Sequence, residues 1–154
     1  MCGITGWLYT PGREPAPEAL ERMEKIDTLV VDKTGTLTEG KPAVTAIVAA
    51  PGFDEAALLC LAASVEKASE HPLAHAIVAA AQARGVATAA VENFDSPVGR
   101  GALGTVEGRH VALGSAAFMK EQGSDPVALV TEAERLRQDG ATAIFVAVDG
   151  RCAG

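Results

Sequence analysis

A short apolar run, Thr28-Leu29-Val30-Val31, stops at a carboxylate, Asp32, and passes without a gap into Lys33-Thr34-Gly35-Thr36-Leu37-Thr38. Its β-branched content favours a buried strand over a helix. Gly35, Gly40 and Pro42 break the pattern directly after it. The strand therefore delivers a carboxylate to its C-terminal end, the ligand-binding position of open α/β sheets. A carboxylate so placed can attack phosphorus to give an aspartyl phosphate. Lys33 and the hydroxyls of Thr34 and Thr36 supply charge and hydrogen bonds for phosphoryl oxygens, and Gly35 lets the backbone approach closely. Mg²⁺ held by Asp32 and Thr34 would offset the phosphate charge. Read in isolation, Asp-Lys-Thr-Gly is also an ordinary solvated turn, since Asp, Thr and Gly are common turn residues.

The rest of the chain is organised around that point. At 154 residues it has roughly the length of one domain. Residues 1–17 hold the only Trp and Tyr and read as a Pro- and Gly-rich leader or linker. A short helix is expected over Pro17 to Lys25, then the strand ending at Asp32, then a second strand over Ala43 to Ala50. Asp54 is a suitable N-cap for a helix over Glu55 to Ser69. Pro72 opens another that runs to Arg84, stopped by Gly85. Ala102 to Val106 and Arg109 to Leu113 read as strands of a hairpin turning at Glu107-Gly108. Ser115 caps a short helix to Glu121, and Asp125-Pro126 starts a longer one through Gln138. Thr142 to Val148 is a last apolar strand, followed by a hairpin signal at Asp149-Gly150. A return strand would barely begin before Gly154, leaving an unpaired sheet edge through which copies could self-associate.

Composition narrows the function. Thirteen Lys and Arg against 20 Asp and Glu give a net charge of −7. That disfavours a nucleic-acid partner, because such affinity comes mainly from neutralising phosphates. Hydrophobic residues make up 48% of the chain, many of them alanine, so the core should be built of small side chains and closely packed helices. No apolar run approaches the roughly 18–20 residues that span a bilayer, and no secretory signal opens the chain. The three cysteines have neither CxxC spacing nor an even number. A cytoplasmic α/β protein is the expectation.

The full string Asp32 to Thr38 is the phosphorylation signature of P-type ATPases, and Glu39-Gly40-Lys41-Pro42 resembles its extension in the heavy-metal-transporting branch. The resemblance continues through Ser69-Glu70-His71-Pro72, Gly99-Arg100-Gly101 and Gly114-Ser115, in the order in which that branch carries its nucleotide motifs. Residues 18–154 resemble one continuous segment of such a pump, closest in texture to copper- and silver-exporting members. The resemblance implies a mostly antiparallel α/β nucleotide-binding domain over 43–154, truncated at its C-terminus, with helices packed on the sheet. It implies a stub of the haloacid dehalogenase-like phosphorylation domain over 18–42. It implies ATP at Glu66, Ser69, Glu70, His71, Gly99, Gly101, Gly114 and Ser115, and Mg²⁺ with phosphoryl chemistry at Asp32, Lys33 and Thr34. His71 would lie near the adenine and orient the nucleotide, and Glu66 would accept from the adenine amino group. The glycines would let the nucleotide rest on bare backbone. Ser115 departs from the family's Asn and can donate one hydrogen bond where the amide donates two.

Two other readings compete. His71 and His75, four apart, could place two imidazoles on one helix face for a metal, though no third ligand is evident. Met1-Cys2-Gly3-Ile4-Thr5-Gly6-Trp7 resembles the start of class II glutamine amidotransferases, in which a liberated N-terminal Cys attacks glutamine. That family's downstream Arg-Gly-Pro-Asp and Asn-Gly-Glu elements are absent. The Gly-Asp-Gly-x-Asn-Asp loop and membrane helices of an intact pump are absent too. The expected activity is therefore nucleotide binding with little transport or phosphoryl transfer. A non-catalytic regulatory module and a weak haloacid dehalogenase-type phosphatase are the alternatives.

Overall fold

The computed structural model describes residues 42–154, all within one compact unit, Lys41–Gly154. The leader, the helix over Pro17 to Lys25 and the Asp32 loop lie outside the described residues.

Helix α1 (Glu55–Glu66) begins where the Asp54 carboxylate accepts the Ala57 N–H at 2.9 Å. This satisfies one of the amides that have no partner inside the helix. The expected end at Ser69 is three residues late: Ala68 and Ser69 donate to Val65 and Glu66, a tighter i,i+3 turn that closes the helix. Helix α2 (Pro72–Ala83) ends one residue before the expected Arg84, which is its C-cap. Gly85 takes φ +68°, so its N–H bonds Gln82 and that of Val86 bonds Ala81. This double closure uses the left-handed conformation that glycine adopts freely. Leu59, Ala63 and Ala81 pack α1 against α2, the close small-residue contact expected from the alanine content.

Five strands follow: β1 (Val91–Asp95), β2 (Gly101–Val106), β3 (Arg109–Gly114), β4 (Phe145–Val148) and β5 (Arg151–Cys152). They form one sheet in that order with every pairing antiparallel. Strand β1 was not individually legible, because a bulge interrupts its alternation. Asn93 has φ +51° and the register shifts between Glu92 and Asp95. Helices α3 (Ala116–Glu121) and α4 (Val127–Gln138) connect β3 to β4. Side-chain alternation separates two layers. Val106, Val111, Leu113, Val146 and Val148 meet Leu58, Leu61, Ala62 and Val65 of α1 on one face. Ala112, Phe145 and Ala147 meet Phe118, Met119 and Ala133 of α3 and α4 on the other.

Two expected strand limits change. Ala43 to Ala50 belongs to no strand; its one backbone link to the sheet among the described residues is Ala50 N–H to the Ala153 carbonyl, 2.9 Å. Strand β4 starts at Phe145 rather than Thr142, because its partner β3 ends at Gly114 opposite Phe145 and the chain then turns into α3.

Candidate functional site

The turn between α1 and α2 gathers one half of the site. Glu66 ends α1 and is 8% exposed. Ser69 Oγ accepts the His71 N–H at 3.3 Å, and the Ser69 N–H bonds the Glu66 carbonyl at 2.9 Å. His71 is the N-cap of α2: its Nδ1 accepts the Leu73 N–H at 3.2 Å. A helix starting with Pro72 lacks one amide, so Leu73 offers the first donor to be capped. His71 itself is exposed, which leaves the rest of its imidazole open to a ligand. Burial raises the Glu66 pKa above its ordinary value, partly opposed by the Ser69 hydroxyl and then by the charge of nearby His71. Glu66, Ser69 and His71 thus come together in one turn, with a half-desolvated carboxyl beside an imidazole edge that can meet a planar ring. Glu70 lies in the same turn and is exposed.

The glycines form the other half. Arg100 N–H bonds the Pro97 carbonyl at 3.1 Å, and Gly99 takes φ +71° inside that turn. A Cβ at Gly99 would meet nothing within 4 Å, so its backbone is bare to solvent. Gly101 and Gly114 face each other across β2 and β3. A Cβ at Gly101 would strike the Leu113 carbonyl and reach 2.8 Å from Phe118 Cδ1. One at Gly114 would lie 2.5 Å from the Arg100 carbonyl and 2.7 Å from the same ring atom. A side chain at either position would meet the facing backbone and the Phe118 ring, so packing by itself already calls for glycine there. Ser115 caps α3 as expected, its Oγ accepting the Phe118 N–H at 3.2 Å. Its hydroxyl hydrogen is still free to be donated elsewhere. The halves are joined by α1, whose Leu61, Ala62 and Val65 pack with Ala102 and Val106 of β2.

Several contributors could not be read from sequence. Nothing in the sequence marks Phe118 within the short helix after Ser115. Arg100, between the two glycines, reaches Glu121 of α3 at 2.8 Å and ties the Gly99 turn to the opposite layer. Only the packing of α3 against the sheet reveals either role. His75 and His110 are exposed, and no group of three or more His, Cys, Asp and Glu fit to hold a metal occurs among the described residues. Asp32, Lys33 and Thr34, with the expected Mg²⁺ position, lie outside them. No helix among the described residues is long and apolar enough to cross a membrane. An apolar cavity of about 390 Å³ lies elsewhere, lined by residues 42–48, α1, α2, α4 and residues 140–146. None of the expected nucleotide residues lines it.

A family model for haloacid dehalogenase-like hydrolases matches residues 26–154. The copper-exporting P-type ATPase of Legionella pneumophila is 54% identical over 134 residues, 87% of this chain and 18% of that protein. The chain thus spans less than a fifth of this relative. The N-domain of a copper-transporting P-type ATPase aligns at a TM-score of 0.61 and 30% identity, covering 73% of this chain and 94% of that one. A zinc-transporting PIB-type ATPase aligns at 0.72 and 39% identity, over 80% of this chain and 20% of that structure. With a family match that reaches from before the Asp32 loop to the last residue, the chain belongs to the haloacid dehalogenase-like hydrolases, and its sequence relatives are heavy-metal-exporting P-type ATPases.

Proposed function

We propose that residues 43–154 are an ATP-binding domain of a heavy-metal-transporting P-type ATPase and that residues 18–42 are part of its phosphorylation domain. The adenine lies against His71, its amino group donating to Glu66. The sugar and phosphates pass along the Gly99-Arg100-Gly101 turn toward Gly114 and Ser115. The observation that carries this reading is the turn in which Ser69 links buried Glu66 to His71, whose Nδ1 is already committed to Leu73. Such a ring is fixed in orientation before any ligand arrives, which reduces the ordering cost of binding. Asp32 and Thr34 would hold Mg²⁺, which would supply charge neutralisation for phosphoryl oxygens. In a full-length relative the domain feeds ATP to Asp32 for phosphorylation and copper export, on the cytoplasmic side of the membrane.

The test is an ATP titration of the chain and of His71→Gln by calorimetry. Saturable binding by the chain, weakened at least tenfold in the variant, supports the site; equal weak binding by both sinks it. A second reading is favoured by the family match over Asp32: slow aspartyl phosphate formation by this chain itself. Hydroxylamine-sensitive label from γ-labelled ATP, lost in Asp32→Asn, would establish that; absence of label leaves ATP binding as the activity.

A further inference from the structure

Arg100 is anchored through its backbone while its side chain stands in solvent. Its N–H bonds the Pro97 carbonyl at 3.1 Å, closing the turn that carries Gly99. Its carbonyl lies 2.5 Å from the point that a Cβ at Gly114 would occupy. The backbone that mounts the guanidinium is thus seated between a tight turn and the start of the β2–β3 pairing. The side chain itself is 60% exposed and reaches Glu121 Oε2 through Nη1 at 2.8 Å; Glu121 is 49% exposed.

That ion pair is weakly held for two reasons. An exposed salt bridge contributes little to stability, because solvent screens it and both side chains must be ordered to make it. Glu121 is also the last residue of α3, the end at which the helix dipole disfavours a carboxylate. The surroundings of Arg100 meanwhile need its charge. The chain carries a net −7, and among the described residues proposed to meet the nucleotide, Glu66 and Glu70 are carboxylates. A phosphate chain entering there is repelled unless a cation meets it. A guanidinium is the side chain best suited to that task, since its planar fork bonds two phosphoryl oxygens at once.

We propose that Arg100 is the residue by which this domain distinguishes a nucleotide carrying a phosphate chain from the bare nucleoside, its guanidinium leaving Glu121 for phosphoryl oxygens as the ligand binds. The proposal rests on the adenine placement given above, which brings the phosphates along the Gly99–Gly101 turn. Glu121 then acts as an internal competitor. The affinity gained from the phosphate chain is the difference between two Arg100 contacts, so removing the guanidinium and removing its competitor act in opposite directions. A merely structural tie between the turn and α3 would give both losses the same sign.

The experiment measures ATP and adenosine affinities by calorimetry at low ionic strength for the chain, Arg100→Gln, Arg100→Lys, Glu121→Gln and His71→Gln. The quantity read is the ratio of ATP to adenosine affinity. Arg100→Gln should lower it about tenfold, the loss of one charge-assisted contact. Arg100→Lys should recover part of that loss, because it keeps the charge without the fork. Glu121→Gln should raise the ratio roughly two- to fivefold, the release of one exposed ion pair. His71→Gln should weaken both ligands alike. Ratios equal to the parent's in Arg100→Gln and Glu121→Gln, with both ligands still weakened by His71→Gln, would overturn the role of Arg100 and leave the adenine site standing. A ratio lowered in Glu121→Gln as well would make the pair a structural tie and overturn the proposal too. No saturable ATP binding by the parent chain would overturn the nucleotide site itself, and this proposal with it.

Discussion

His71 Nδ1 accepts the backbone N–H of Leu73 at 3.2 Å, so one imidazole both starts α2 and fixes its own orientation. Capping and ligand recognition are therefore separable by substitution. Asn is among the best N-cap residues, and loss of a cap to Ala costs about 1 kcal/mol. His71→Asn should keep the Tm and lose ATP binding. His71→Ala should lose binding and also melt a few degrees lower. Melting curves alongside nucleotide titrations check the pair; loss of binding only in the less stable variant would make the ring a structural residue.

Glu66 carries the opposite tension. Its pKa is raised chiefly by burial. Between the ordinary and the raised value the native state binds more protons than the unfolded state. Stability therefore falls as pH rises through that window, and the cost is complete above the raised value. Glu66→Gln should flatten this slope and melt higher than the parent at pH 7, while weakening ATP about tenfold through loss of a charged acceptor. Thermal melts from pH 4 to 7 test the sign; a variant less stable than the parent at pH 7 would show the carboxylate to be stabilising.

Gly99, Gly101 and Gly114 should respond differently to alanine. At Gly99 the space is open and only φ +71° is adverse, a cost of about 1–2 kcal/mol. At Gly101 the new methyl meets the Leu113 carbonyl and the Phe118 ring. Overpacking of this kind costs about 1–3 kcal/mol, and more where backbone must move. Gly101→Ala and Gly114→Ala should therefore unfold more readily than Gly99→Ala in urea. If all three melted alike, the packing of Phe118 on the glycine pair would not be what fixes them.

Asp149, at φ +51° in the β4–β5 turn, clamps the β2–β3 hairpin. Its carboxylate accepts the His110 N–H at 2.9 Å and Arg109 Nε at 3.2 Å. The His110 bond first, and the Arg109 contact second, hold its pKa below the usual value. A depressed acid contributes stability that is present above its ordinary pKa and lost as pH falls through the lower one. Asp149→Ala should lower Tm at pH 7 and narrow the gap to the parent below pH 4; a gap independent of pH would attribute the loss to the turn backbone instead.

The helices were legible because their ends carry local chemistry: Asp54, Pro72, Gly85 and Ser115 each signal a boundary without reference to anything distant. The hairpin at Glu107-Gly108 was readable for the same reason, with both residues at positive φ. What escaped depends on tertiary partners. Whether Ala43–Ala50 becomes a strand is decided by what pairs with it, and β1 hides behind the Asn93 bulge. The motif glycines were found by their order along the chain. Their packing against Phe118 is invisible until α3 is laid on the sheet.

The most direct test of the account is an amide chemical-shift map of the isotopically labelled chain titrated with Mg-ATP. The account predicts saturable shifts concentrated at Glu66, Ser69 to Leu73, Gly99 to Gly101 and Gly114-Ser115. Shifts absent at millimolar nucleotide, or confined to the apolar cavity around Leu129, Ala133 and Leu136, would contradict it.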